Sequence, residues 1–597
     1  WMYSSGFYGH EINQSVRLSI TDGSFASITP SSAGDRQKFT FSTWLKRGRV
    51  DGTFQRFFCA EGDGGNESAG IRFDSSERLD FIFITDGSDS ITGRLVTNRV
   101  FRDTSSWYHI VLAQDTTNGT GGNRIRLYVN GVEETSFATD TNPTQNHNGQ
   151  FGATVIHRIG AECHTGAQNF DGYMAETHYV DGQQLTPSSF GETKNDIWIP
   201  KNYSGSYGTT GFKLTYSDTS SNNALVSDSS GNGNDLTANA IVAGHDFMKD
   251  SPTNNFSTLR IHGSPQISGG SFSQGNLEFT SGTGGSARQL DAQCISNILI
   301  PNSGKWYCEV LPLVTTSTFI GITAHHEGRI DHASTNTRYA YFYPAGDGGS
   351  NGQIYLNTNG SESTPNYGAP TATGDIIGVF VDMDLSPPRL YFSKAGQWAS
   401  GSNWNQSNPT DYVELGDSFF TTSSDTGQGA FTAARAGGTT NIGPVFNFGQ
   451  DRGTFRGQKG AGSETDSNGN GLFKYAVPSG GLALCTANLD DTTISPTQST
   501  QATDYFNTVL YSGTGSSQSV TGVGFAPDWV WIKERSSTSG HSIHDTVRGT
   551  NKRLDSSADT SESSSGVTAF GADGFTEDGG GATGESGQTY VSWNWKA

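Results

Sequence analysis

Few side chains in this sequence combine reactive types with reactive spacing. In Glu176-Thr177-His178-Tyr179-Val180-Asp181, Glu176 and His178 stand two residues apart, so on a β-strand they share a face while Asp181 points to the other. The chemistry open to the first two is an acid/base pair. A retaining glycosidase needs two carboxylates about 5 Å apart, and this strand offers only one on that face. The bland alternative is a hydrogen-bonded sheet contact. Gly348-Gly349-Ser350-Asn351-Gly352 matches G-x-S-x-G, but a nucleophile elbow needs strand, turn and then helix. The following Gln353-Ile354-Tyr355-Leu356 reads as strand, so this is a glycine-rich loop. The sequence holds neither a P-loop nor a complete G-x-G-x-x-G. No residue is assigned a catalytic role, and the chain reads as non-enzymatic.

Metal chemistry is better represented. His325-His326-Glu327 with Asp331-His332, and His541 with His544 and Asp545, supply enough ligands for a cation. Successive strand residues point apart, however, so both groups read as loop surface. Asp228-Ser229-Ser230-Gly231-Asn232-Gly233 and Asp466-Ser467-Asn468-Gly469-Asn470-Gly471 repeat the first half of an oxygen-ligand calcium loop. Both lack the acid at the twelfth position, which falls on Asn239 and Val477. Asp228, Ser230 and Asn232, with Asp235 compensating, form the candidate site, and structural calcium is the one cofactor these residues suggest. The alternative is an Asx-rich turn whose side chains cap their own backbone. The five cysteines (Cys59, Cys163, Cys294, Cys308, Cys485) are odd in number, far apart and without C-x-x-C. That pattern argues against a disulfide framework or a zinc site and for synthesis in a reducing compartment.

The elements that must position these groups are strands. Val16, Leu18 and Ile20 alternate in Ser15–Ile20; Ile125, Leu127 and Val129 alternate in Arg124–Val129. The latter ends at Asn130-Gly131, the pair a tight type I′ hairpin favours. Further runs are Phe39–Leu45, Trp107–Ala113, Trp306–Leu311, Tyr339–Tyr343, Ile376–Asp382 and Arg389–Phe392. Asp528–Lys533 and Tyr590–Trp595 are apolar on both faces, as central strands covered on both sides would be. One helical turn is expected, at Thr186-Pro187-Ser188-Ser189-Phe190. The expected class is all-β: tandem sandwiches with almost no helix. Gly/Asn-rich Asp228–Asn239, the extended connection Asp250–Asn255 and the glycine-rich Gln450–Gly471 divide the chain into 1–250, 251–450 and 451–597.

Composition agrees. Of 597 residues, 78 are glycine, 33% are hydrophobic and only 16% charged, which disfavours helix-rich folds. The 11% aromatic share argues against disorder. A net charge of −21 disfavours nucleic acid and anionic membrane surfaces. No apolar run approaches the ~20 residues of a membrane span. The N-terminus lacks a basic start followed by an apolar stretch, so no secretory signal is read there.

Several of these pieces resemble known families. Phe41–Lys46, Trp107–Leu112, Leu127–Gly131 and Phe170–Glu176, continuing to Leu185-Thr186-Pro187, are similar to a laminin-G-like, concanavalin-A-type jelly roll. Gly304–Val310, Phe319–Ile322, Gly374–Asp382 and Pro444–Gly449 resemble a SPRY-type sandwich. Gly524–Lys533 looks like a β module of uncharacterised role. The combination resembles structural proteins of tailed-phage virions, of the marine type. That resemblance implies a tail fibre or other exterior appendage, made in the host cytoplasm and contacting a host-surface glycan or receptor. It further implies contacts with other virion proteins, a homo-oligomer with a trimer favoured, and a chain that continues beyond Ala597. Tyr203 and Tyr207, and Trp398 and Trp404, are the candidates for stacking on sugar rings. A decoration or assembly protein binding other virion subunits is the alternative, and a polysaccharide depolymerase the more remote one.

Overall fold

The period-two pattern is realised as strands along the chain. A computed structural model describes residues 7–62, 68–84, 90–261, 270–281, 293–315, 318–324, 338–345, 352–358, 361–416, 419–422, 425–426, 428–435, 443–489 and 500–597. The protein is nearly all β, with 43% strand and 4% helix. The turn expected after Thr186 is a 3-10 turn, Pro187–Ser189, with proline at its start, although the Thr186 side chain does not cap it. The chain forms two compact units. The larger comprises Tyr8–Thr193 and Trp198–Leu489; the smaller comprises Trp1–Phe7, Lys194–Ile197 and Asp490–Ala597.

The larger unit begins with a sandwich of two eight-stranded sheets. In one, Lys38–Arg47 lies between Tyr108–Asp115 and Gly172–Asp181, with Ile125–Val129 and Val132–Glu133 completing one edge. The other runs from Phe137–Thr141 through Ile91–Val100, Arg78–Ile84, Ser68–Phe73 and Gln55–Glu61 to His157–Ile159, Phe25–Ile28 and Thr237–Asn239. Inward-facing aromatics fill the space between them: Phe41 stacks on Phe58 at 4.2 Å, and Phe39 and Phe151 close the next layer. Asn130 and Gly131 take φ of 49° and 81°, as the tight hairpin requires, and register Val132 against Val129.

The cysteine expectation fails at one pair. Cys59 and Cys163 are joined by a disulfide although 104 residues separate them. His157–Ile159 pairs with the strand carrying Cys59, setting Arg158 opposite it, and the next turn returns Cys163 to within 6.0 Å between Cα atoms. Strand pairing made the contact that sequence distance concealed. Cys294, Cys308 and Cys485 are buried free thiols.

A second sandwich follows, of seven-stranded and ten-stranded sheets. Lys305–Pro312 is central to the larger sheet, between Ile377–Asp382 and Pro444–Asn447. Residues 451–489, grouped with the C-terminal module by composition, lie in the larger unit: Gly481–Ala483 pairs in parallel with Lys305–Pro312. Buried Glu309 holds this strap, accepting from the Lys474 and Tyr475 amides at 2.9 Å each. In the smaller unit, a sheet of Phe506–Ser512, Thr589–Trp595, Trp529–Glu534 and Ser542–Asp545 packs on Gln518–Thr521, Gly574–Glu577 and Val567–Gly571.

The connection at Asp250–Asn255 is a joint rather than a loose linker. Lys46 donates to Asp250 Oδ2 at 2.9 Å, Asn255 Oδ1 at 2.7 Å and the Phe256 carbonyl at 3.1 Å, which uses all three ammonium hydrogens. The other oxygen of Asp250 accepts from Trp107 Nε1 at 3.3 Å and the Phe256 amide at 3.1 Å. Both charged side chains are fully buried. Alongside them the Tyr173 hydroxyl donates to the Gly275 carbonyl at 2.7 Å. Gly275 has φ +65°, and a Cβ there would lie 2.5 Å from the tyrosine ring, so only glycine fits. Removing one partner of a buried pair strands the other charge, at about 3–5 kcal/mol. Lys46→Met is therefore expected to destabilise the larger unit by about that amount in denaturant melts, and the double variant Lys46→Met/Asp250→Leu to recover most of it.

Candidate functional site

The strand Gly172–Asp181 carries the strongest concentration of ionisable groups, and a bulge explains how. Its pairing with Lys38–Arg47 slips between Ala175 and His178, and Glu176 adopts φ 41°. The Glu176 carboxylate is thereby set beneath the segment that covers the outer face of the sheet. It meets His10 Nε2 at 2.6 Å, Lys213 Nζ at 2.7 Å and His178 Nε2 at 3.7 Å. Glu176 and His178 do share a face, as their spacing implied. Asp181 lies at the strand end, accepting the amides of Asp35, Thr209 and Thr210.

Electrostatics then decides what the cluster can do. Although burial opposes it, the hydrogen bond from His10 and the charge and hydrogen bond of Lys213 hold the Glu176 carboxyl down at about 2, so it is a fixed anion. Burial pushes His178 down to about 4 and His109 to about 3. His178 Nδ1 bonds the Tyr207 hydroxyl at 2.8 Å. On the neighbouring strand, His109 Nε2 lies 2.8 Å from Ser42 Oγ, a spacing that invites comparison with a serine nucleophile and its base. The tautomer rules this out. Trp198 Nε1, which can only donate, reaches His109 Nδ1 at 3.0 Å, so the single proton of the neutral ring sits on Nε2 and is donated to Ser42. A ring donating to the serine cannot accept its proton. Ser42 and His109 come from adjacent strands, and no local spacing in the sequence announces them.

The sugar-stacking candidates are packing residues. Tyr207 is 7% exposed and Trp398 3% exposed, so neither offers a ring face to a ligand. Tyr207 packs with Phe190 and Tyr203 over the outer face of the first sandwich. Trp398 is covered by Phe473 and the strap ending near Cys485. Tyr203 is partly buried, 5.0 Å from Phe190 and 5.2 Å from Tyr207, with its hydroxyl on the Ser206 carbonyl. Trp404 donates to the Ala369 carbonyl at 2.9 Å and sits edge-on to Phe342. Loop position alone did not reveal that neighbouring segments fold over these rings.

The calcium candidates resolve as turns closed by their own amides. Asp228 Oδ1 accepts from the Lys213 and Ser230 amides at 2.9 and 2.7 Å, and Oδ2 from the Ser230 hydroxyl and the Asn234 amide at 2.9 and 3.0 Å. Asp235 Oδ1 accepts the Asp228 amide, and Asn232 donates to the Gly208 and Gly211 carbonyls. Asp466 is saturated in the same manner by the Asn468, Asn470 and Ala483 amides and Asn488 Nδ2. A cation needs inward lone pairs, whereas here N–H groups point at the carboxylates. Asp228, Ser230, Asn232 and Asp235 thus form the Asx-rich turn that was the alternative reading of this stretch. His544 faces inward to Ser542 and the Lys552 carbonyl, while His541 faces Trp531 and Asp545 pairs with Arg548, so these three diverge. His325–His332 and the serine of the G-x-S-x-G lie outside the described residues, although the strand Gln353–Thr358 does follow that loop. Among the described residues, no three His, Cys, Asp or Glu side chains group to hold a metal.

The C-terminal strands differ from the doubly covered pair expected. Trp529, Trp531, Trp593 and Trp595 share the outer face of their sheet and remain partly exposed. Their rings are tilted, Trp529 on Trp595 by 53° and Trp531 on Trp593 by 60°, so they pack edge to face and form no flat platform.

Comparison with known proteins fits this geometry. Residues 21–189 match the family model described as the concanavalin A-like lectin/glucanases superfamily, and residues 501–597 match Domain of unknown function (DUF7483). No curated protein matches the chain. Among solved structures, a provisionally assigned carbohydrate binding protein from Bacteroides ovatus ATCC 8483 is 14% identical, over 38% of this chain and 59% of its own, with a TM-score of 0.28. Mouse laminin alpha1 domains LG4-5 are 10% identical over 72% and 90%, with a TM-score of 0.24. The SPRY domain of human HERC1 is 14% identical over 28% and 87%, at 0.19. The chain thus spans about three fifths of the first of these structures.

Two outcomes follow. Unfolded histidines bind protons below about pH 6.5 while buried His109 and His178 stay neutral, so their contribution to stability is present above that pH and lost as pH falls toward the folded values. His178→Gln is expected to make the acid-side fall in melting temperature shallower between about pH 6.5 and 4, by up to about 1.4 kcal/mol per pH unit. Chelator treatment is expected to leave the melting temperature unchanged, whereas Asp228→Ala lowers stability by about 1–3 kcal/mol because it orphans the amides it now accepts.

Proposed function

We propose that this chain is a non-catalytic, carbohydrate-directed binding protein on an exterior appendage of a tailed-phage virion, a tail fibre or equivalent, assembled as a homotrimer. The observation that carries the binding reading is the match of residues 21–189 to the concanavalin A-like lectin/glucanases superfamily. The chemistry beside it points the same way: Glu176 is an anion held by His10 and Lys213, and His109 donates to Ser42. Catalysis would require a group free to exchange protons at working pH.

The appendage setting rests on the three-module sequence resemblance. Two properties suit it. A charge of −21 on a mostly uncharged polar surface keeps an exposed protein soluble. Disulfides persist on virion surfaces, so the Cys59–Cys163 bond fits an exterior protein oxidised after leaving the host cytoplasm. The partners in this reading are host-surface glycans and other virion proteins, with neither nucleic acid nor membrane insertion.

The purified chain is expected to bind a subset of host-surface glycans on an array and to adsorb to host cells, with particle imaging placing it on an appendage. An array negative for every glycan, together with no adsorption, contradicts the binding role. Placement on the capsid surface instead favours a decoration protein.

A further inference from the structure

The four-stranded sheet of the smaller unit is finished on one face and open on the other. Its inner side chains, Val530, Ile532 and Tyr590 among them, are buried against the second sheet of that unit. The register sets its outer side chains in rows across the strands. Phe506 lies beside Trp595 and Trp529 in one row, and Trp593 lies beside Trp531 and Ile543 in the next. All four tryptophans are partly exposed, Phe506 is 39% exposed and Leu510 is 61% exposed. The charged residues on these paired rows are one lysine, Lys533, and one aspartate, Asp545, which pairs with Arg548 at 2.6 Å.

The sheet is open along one edge as well. Tyr505 and Gly513 bond directly to Lys596 and Gln588, so the odd-numbered residues between them bond to the neighbouring strand. The amides and carbonyls of Phe506, Thr508, Leu510 and Ser512 therefore point outward. The Thr508 amide reaches Asn507 Oδ1 at 2.8 Å; among the described residues, the others have no partner. Phe506–Ser512 reads FNTVLYS, with neither the charge nor the proline that blunts an exposed edge. The opposite edge is different, because Ile543 there exchanges two backbone bonds with Leu554.

We infer that this outer face, with the Phe506–Ser512 edge, is the contact between copies of this chain, its occupant being the same face of a second copy. The inference rests on the homo-oligomeric assembly proposed above and is independent of the glycan role. Charge selects the occupant. Each copy carries −21, so copies repel over most of their surface. On these rows Lys533 balances Asp545, which makes the face complementary to itself. Area agrees: at ~3.4 Å per residue and ~4.8 Å between strands, the four strands present roughly 400 Å² in plan. Ring relief carries the accessible area toward the ~600 Å² per partner of the smaller specific interfaces. The edge-to-face indoles leave gaps that side chains of another protein surface interdigitate with, whereas a sugar ring needs a flat platform. A face that meets its own copies on a symmetry axis closes the assembly, as homo-oligomers require.

The test is sedimentation velocity with light scattering on the full chain. The variants are Leu510→Glu, Trp593→Glu and, at an exposed apolar position of the first sandwich, the control Val132→Glu. The wild type is expected to be an oligomer. Leu510→Glu and Trp593→Glu should each raise its dissociation constant about tenfold or more, while Val132→Glu leaves assembly intact. Leu510 is the more exposed of the two, so Leu510→Glu is expected to keep the wild-type melting profile and carries the test if Trp593→Glu unfolds. An oligomer undisturbed by either face variant overturns the interface and leaves the assembly standing. A monomeric wild type overturns both. Loss of glycan-array binding by Trp593→Glu with assembly retained gives the face to a glycan and overturns the inference.

Discussion

The joint between the two sandwiches of the larger unit is built around a buried ion pair, Lys46 with Asp250. Burying two charges between sandwiches is unfavourable unless every hydrogen and lone pair finds a partner. Asn255, Phe256 and Trp107 supply those partners, and all lie on or against the segment that leads from the first sandwich to the second. Satisfying this pair therefore fixes the path of the chain between them. The same segment bonds to Ile12 through Thr253 and to Thr486 through Asn255, so the residues leading into the first strand and the strap of the second sandwich join one network. Two folds that could stand on separate cores become one unit.

The same logic of full satisfaction governs the ionisable cluster on the outer face of the first sandwich. Each group there has its proton or its charge fixed by a neighbour: Glu176 by His10 and Lys213, His109 by Trp198, His178 by burial beside Tyr207. A catalytic site leaves at least one group poised to change state. Here, states are locked, and the ionic residues anchor the covering segment to the sheet.

Strand positions were legible because period-two alternation in runs such as Arg124–Val129 and Arg389–Phe392 reports which face is buried. Asn130-Gly131 fixed its hairpin through a local φ requirement. Long-range contacts were not legible. Lys46 and Asp250 lie 204 residues apart, and Cys59 meets Cys163 only after His157–Ile159 has paired. Trp398 and Tyr207 looked like loop aromatics because the segments that bury them fold back from elsewhere. The Asp228 and Asp466 loops show a different limit. Asx-glycine composition serves a calcium loop and a self-capped turn equally, and only the direction of the amides separates them. The Trp529–Trp595 face shows a third: apolar side chains on both faces of a strand do not say whether the outer one is covered.

Binding without bond cleavage is the central claim, and one measurement reaches it directly. Host-surface polysaccharide incubated with the purified chain should co-elute with it on size exclusion at undiminished chain length, with no new reducing ends. Progressive shortening of the polysaccharide, lost on Glu176→Gln, would contradict it.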